Sequence, residues 1–151
     1  MKYVLSGHCN CPPEDFLRFM FDPQHMLKWQ KSLISHEVVG GEVPQQGARS
    51  AMTHRYGKRV INMTETVEVS DLPNGLTAVY EAPSAWNRVR YEFSRDRSGG
   101  TEWRLESEFR CTGVLRIMTI LMPGMFRRTT AKEMEALKAY AEAHRGGLPH
   151  D

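Results

Sequence analysis

The feature that most restricts this chain lies between residues 101 and 111. Trp103, Leu105, Ser107, Phe109 and Cys111 alternate with Glu102, Arg104, Glu106, Glu108 and Arg110, so a strand here has one dry face and one charged face. A sheet built on such a strand must bury its dry face against another layer. The long element available for this is the helical region from Val114 to His144. Within it Phe126, Thr130, Met134, Leu137 and Ala141 recur every three or four residues, while Arg127, Lys132, Glu135 and Glu142 fall on the other side. The C-terminal helix is therefore expected to fill the concavity of the sheet. Pro123-Gly124 should break the region into a short segment, Val114 to Met122, and a main helix.

Upstream, alternation predicts strands at Ile34 to Val39, Arg49 to Tyr56, Val60 to Ser70, Leu76 to Glu81 and Arg88 to Arg95, with the last from Glu102 to Cys111. Turn chemistry separates them: Gly40-Gly41, Gln46-Gly47, Gly57, Pro73-Asn74-Gly75, Pro83-Ser84 and Ser98-Gly99-Gly100. Short connections of this kind imply antiparallel neighbours. A first strand, Tyr3 to Asn10, precedes two short helices. Pro12-Pro13-Glu14-Asp15 opens one that runs to about Phe21, and Asp22-Pro23 breaks it and caps a second, His25 to Lys31. The fold class expected is α+β, with seven antiparallel strands and two short helices after strand 1. Residues 1–145 form one domain, and 146–151 are expected to fray.

Several classes of function are disfavoured. Lys and Arg number 20 against 18 Asp and Glu, too even a balance to attract nucleic acid or an anionic surface by net charge. The apolar run Val114 to Phe126 is shorter than the ~20 residues of a membrane span and contains Arg116 and Pro123. Only Tyr3 to Leu5 is continuously apolar near the start, so no secretory signal is read and a cytoplasmic protein is expected. Cys9, Cys11 and Cys111 make no disulfide framework, and with no histidine at a ligand-like spacing no metal is expected. There is no glycine-rich phosphate loop, no G-x-S-x-G elbow and no H-E-x-x-H, and no cofactor is implied. Arg88, Arg90, Arg95, Arg97, Arg127 and Arg128 read as solvated faces.

The segments CPPEDFLRFMFDPQHMLKWQ (11–30) and TEWRLESEFRCTGVLRIMTILMPGMFRR (101–128) resemble the opening and the last strand with grip helix of START-like proteins of the SRPBCC superfamily. The resemblance covers nearly the whole chain and implies the helix-grip fold, a curved sheet wrapped around a long C-terminal helix. Its motifs are architectural, so the fold follows more firmly than the chemistry. It implies a cavity between sheet and helix for an apolar small molecule, a lipid or a polycyclic, polyketide-like metabolite. A polyketide cyclase, aromatase or dehydratase is the alternative, and a protein-interaction module of co-chaperone or toxin type a further one. Monomer and homodimer both stay open.

Candidate site residues follow from the faces. Glu65 falls in a row with Ile61, Met63, Val67 and Val69, a carboxylate among apolar neighbours whose burial would suit it to acid–base work. Alternatively a bulge turns it outward, or an inward arginine pairs with it. His54, on a face with Met52 and Tyr56, could form a dyad with Glu65, or be a satisfied or exposed histidine, because one slip of register reverses the face. Tyr80, Tyr91 and Trp103 supply aromatic surface with polar tips for a pocket, or core. Met52, Met63, Met118, Met122, Met125 and Met134 are adaptable ligand contacts or gap fillers, and Trp29 a lid or an anchor of the second helix. Phe126 follows the Pro123-Gly124 break, which is read either as a hinge that admits ligand or as a static fit to the curved sheet.

Overall fold

The computed structural model describes residues 1–145; the tail expected to fray lies outside them. Strand β1 (Lys2–Cys9) leads into helices α1 (Pro13–Phe21) and α2 (Pro23–Trp29). Six strands follow: β2 (Leu33–Gly40), β3 (Arg49–Tyr56), β4 (Arg59–Asp71), β5 (Gly75–Ala82), β6 (Ala85–Arg95) and β7 (Thr101–Cys111). Helices α3 (Gly113–Leu121) and α4 (Met125–His144) complete the described chain. The strands form one antiparallel sheet in the order β1-β7-β6-β5-β4-β3-β2, so each hairpin neighbour in sequence is a neighbour in space and β1 closes onto β7. This is the α+β helix-grip arrangement expected.

Local chemistry explains the boundaries. Pro13 starts α1 with Glu14 and Asp15 in its first turn, where acids favour the positive end of the helix dipole. The helix ends at Asp22, whose carboxylate accepts from the Gln24 backbone N–H at 2.9 Å and caps α2. That cap sets α2 two residues earlier than the spacing suggested. Strand β6 starts three residues earlier than expected because Pro83-Ser84 makes a tight turn that leaves Ala82 and Ala85 paired. The break before α4 is present, and Gly124 adopts φ 84, a conformation that side chains with a Cβ resist.

The dry face of β7 is inward as read, with Trp103, Leu105 and Ser107 buried. Its opposite face joins a ladder of exposed ion pairs, Arg88–Glu68 at 3.0 Å, Arg90–Glu92 at 3.2 Å and Arg104–Glu106 at 2.9 Å, each worth little in water. Helix α4 approaches β1, α1 and α2 more closely than it does the middle strands. Its Met134, Leu137 and Ala141 join Phe16, Phe19, Trp29, Leu105 and Phe93 in the main core. Burying a side chain such as Leu137 contributes about 1.5–3 kcal/mol. At one end of the sheet Gly7 lies under the Trp103 indole: a Cβ there would come 2.5 Å from the ring. The glycine is required by contact and not by backbone angle.

Candidate functional site

Polar side chains cross the concave face in one row. Ser50 of β3 stands opposite Glu65 of β4, Glu65 opposite Tyr80 of β5, and Tyr80 opposite Asn87 of β6. Asn87 donates to Ser107 Oγ at 2.8 Å and to the Glu108 carbonyl at 3.0 Å, which ties the row to β7. His36 of β2, paired with Met52, brings Nε2 to 4.0 Å from Glu65 Oε1, and its imidazole is wholly enclosed. Neither nitrogen of that ring has a hydrogen-bond partner, and neither has Ser50 Oγ. A buried polar group left unpaired costs about 1–3 kcal/mol. Groups of this kind persist where a ligand or ordered water completes them.

Two tyrosines extend the row toward α4. Tyr80 interacts with Glu65, and Tyr91 with Tyr80. Burial, reinforced by the Glu65 charge, pushes the Tyr80 hydroxyl well up; burial and the Glu133 carboxylate do the same to Tyr91. Both phenols stay protonated at neutral pH and can donate to a carbonyl or hydroxyl oxygen.

A second polar group sits where α4 faces the start of β2. Burial raises the Glu133 carboxyl to about 7, although hydrogen bonds with Gln30 and Ser32 oppose the shift. Ser32 Oγ lies 3.0 Å from His54 Nδ1, and the His54 ring stacks on Tyr56 with centroids 5.8 Å apart. Burial lowers the His54 imidazole to about 4 against the pull of Glu65. Among the described residues no Lys or Arg is buried. The ionisable groups of the interior are therefore carboxyls, imidazoles, phenols and the thiols of Cys9 and Cys11.

The candidates named from sequence divide into three groups. Glu65 and His54 both point inward, but they do not oppose each other: His54 faces Ile61, four residues along β4 from Glu65. A bulge does interrupt β4, between Val67 and Val69, beyond Glu65; it turns Val69 out to 44% exposure and leaves the carboxylate in. Glu65 has His36 beside it where an arginine was the alternative. Met52, Met63, Tyr80 and Tyr91 adjoin the row. Phe126 stacks on Phe109 at 4.4 Å, while Trp103 packs away from the row, near Gly7 and Phe93. Trp29 is buried within α2 and donates to the Phe19 carbonyl at 2.7 Å. Met118 and Met122 belong to α3 and its C-cap, away from the row, and Met122 is exposed.

Sequence reading missed His36 and Glu133. A bulge between Leu33 and Ser35 disrupts the alternation of β2, so no period marked His36. Glu133 did carry a signal: it lies three residues after Thr130 and four before Leu137, inside the buried stripe. Two open depressions lie on the outer side of the sheet, one of about 400 Å³ among Ala51, Thr53, Asn62, Thr64 and Glu81, the other of about 670 Å³ among Ser6, His8, Glu92, Ser94, Glu102 and Arg104. Among the described residues no group of three His, Cys, Asp or Glu is arranged to hold a metal, and no helix is long and apolar enough to cross a membrane.

Similar folds occur in solved structures. The aromatase/cyclase ZhuI from Streptomyces sp. R1128 shares 11% identity at a TM-score of 0.79, over 98% of this chain and 99% of that one. TTHA0849 from Thermus thermophilus shares 17% at 0.78, over 95% and 98%. Ara h 8.0201 shares 10% at 0.71, over 95% and 98%. At such identities the likeness establishes the fold alone. Curated protein sequences give no match. Residues 2–142 match the family described as polyketide cyclase / dehydrase and lipid transport, and the chain belongs to that family.

Proposed function

We propose that the protein binds a hydrophobic small molecule between the sheet and α4, and that the row Ser50–Glu65–Tyr80 with His36 holds the molecule's polar end. The observation that carries this reading is the set of unpartnered inward groups, both His36 nitrogens and Ser50 Oγ, in the polar row that crosses the concave face. Two inward carboxyls and, among the described residues, no buried Lys or Arg disfavour a ligand headed by a carboxylate, since like charges repel in a weakly screened interior. A ketone, phenol or alcohol on a polycyclic or lipid-like frame fits, because His36 and the protonated tyrosines can donate to oxygen and Glu65 can accept from a hydroxyl. Native mass spectrometry of freshly purified protein and displacement of an apolar fluorescent probe test the reading. Wild type should take up the probe, and His36→Ala and Glu65→Gln should weaken competition by hydroxylated polycycles by about tenfold, the equivalent of one hydrogen bond to a charged group. No uptake of any lipophile would sink the proposal.

A second reading, acid–base catalysis of the cyclase or dehydratase type, is favoured by the pairing of Glu65 with His36 beside two phenols. Here the Glu65–His36 pair accepts a proton from carbon next to a carbonyl while Tyr80 or Tyr91 donates a hydrogen bond to the carbonyl oxygen. Turnover of a β-polyketone thioester analogue that falls about 100-fold or more in Glu65→Gln with probe binding intact would support catalysis. Equal turnover in the variant would restrict the pocket to binding.

A further inference from the structure

Helix α3 is apolar, yet none of its residues is buried. Ile120 is 71% exposed, Ile117 56%, Leu121 72% and Val114 62%. At about 100° per residue these four occupy one arc of about 120° in the order Ile120, Ile117, Leu121, Val114, with Arg116 beside Ile120 at its edge. The helix packs against β7 and is set apart from α4 by Pro123-Gly124, so the arc forms a convex ridge. Contiguous exposed apolar surface of this kind marks a contact surface.

Along the chain between Glu108 and Glu133 the charge is one-sided. From Phe109 to Lys132 the chain carries Arg110, Arg116, Arg127, Arg128 and Lys132, all exposed, and no Asp or Glu. Arg110 is engaged by Glu108 at 3.3 Å and lies over the Trp86 ring. The Arg128 guanidinium reaches the α3–α4 junction, 3.3 Å from where a Cβ on Gly124 would stand. An apolar ridge rimmed with arginines is complementary to a bilayer with anionic headgroups: the aliphatic side chains enter the acyl boundary while the cations stay with the phosphates. A second copy of the chain fits less well, since a two-fold contact on the ridge would bring Arg116 and Arg128 of both copies together. A helical peptide needs a groove, and α3 presents a ridge.

We propose that α3 is a peripheral docking element for anionic membrane surfaces, inserting Ile117, Ile120 and Leu121. This surface is independent of the interior site and stands or falls separately from the ligand-binding reading.

Vesicle flotation compares phosphatidylcholine alone with phosphatidylcholine containing phosphatidylserine. Wild type should float with the anionic vesicles and be released as salt is raised. The double substitution Ile120→Asp with Leu121→Asp, at exposed positions, should reduce binding about tenfold or more, given ~0.8 kcal/mol per buried CH₂. Arg116→Glu with Arg128→Glu should abolish the preference for anionic vesicles, and circular dichroism melts of both variants should match wild type. Absence of vesicle binding at low salt, or binding indifferent to the Ile120 and Leu121 changes, would overturn the proposal. So would a concentration-dependent dimer lost in the same aspartate variant, which would assign the ridge to a second copy.

Discussion

Glu133 makes the stability of this protein depend on pH in a direction opposite to that of an ordinary surface carboxylate. Its carboxyl titrates at about 7 in the folded chain against an ordinary value of 4.5, because α4 buries it against Gln30 and Ser32, and the tyrosines it influences, Tyr3, Tyr56, Tyr80 and Tyr91, bring no positive charge. A folded-state value above the unfolded one means that the folded protein holds the proton more tightly. The contribution is complete below pH ~4.5 and is lost as pH rises through ~7. At ~1.4 kcal/mol per unit the difference amounts to about 3.5 kcal/mol, reduced to about 1–3 kcal/mol because the residue keeps some solvent contact. Glu133→Gln retains an amide able to bond Gln30 and Ser32 but cannot ionise. Urea denaturation followed by tryptophan fluorescence, for both proteins between pH 5 and 8.5, isolates the effect. The variant should match or trail wild type at pH 5 and exceed it by about 1–3 kcal/mol above pH 8. A difference between the two proteins that stays flat across this range would refute the argument that burial governs the carboxyl.

Two further outcomes are expected. The His54 imidazole, held at about 4 by burial against an ordinary 6.5, should show no NMR titration above pH ~5; its lowered value adds stability that is present above pH ~6.5 and lost as pH falls through ~4, and a midpoint near the ordinary value would contradict its enclosure. Gly7→Ala places a methyl 2.5 Å from the Trp103 ring, so it should cost about 1–3 kcal/mol in a thermal melt and shift tryptophan emission, whereas a neutral substitution would show that the indole moves aside freely.

Much of the fold was legible because it rests on period. The alternation of β7, the stripe of α4 and the cap at Asp22 each follow from local chemistry, and Pro123-Gly124 breaks the last helical region where its backbone constraints dictate. For Glu65 and His54 the alternation of β3 and β4 offered an inward face beside an outward alternative, and the assembled sheet selects the inward one. Register was not visible. One strand sliding by two residues keeps every side chain on its face yet changes every partner, so only the assembled sheet sets Ser50 opposite Glu65 and His54 opposite Ile61. Bulges defeat alternation altogether, which is why His36 reaches Glu65 unannounced by any pattern in β2. The exposure of α3 is a tertiary outcome as well: its apolar composition reads as core, but α4 packs against β1, α1 and α2 on the concave side and leaves α3 against β7 with its ridge toward solvent. Sequence thus determined which faces are dry, since that depends on neighbours two to four residues away, and tertiary structure decided which dry faces find a cover and which polar groups meet, since those depend on elements far apart in the chain.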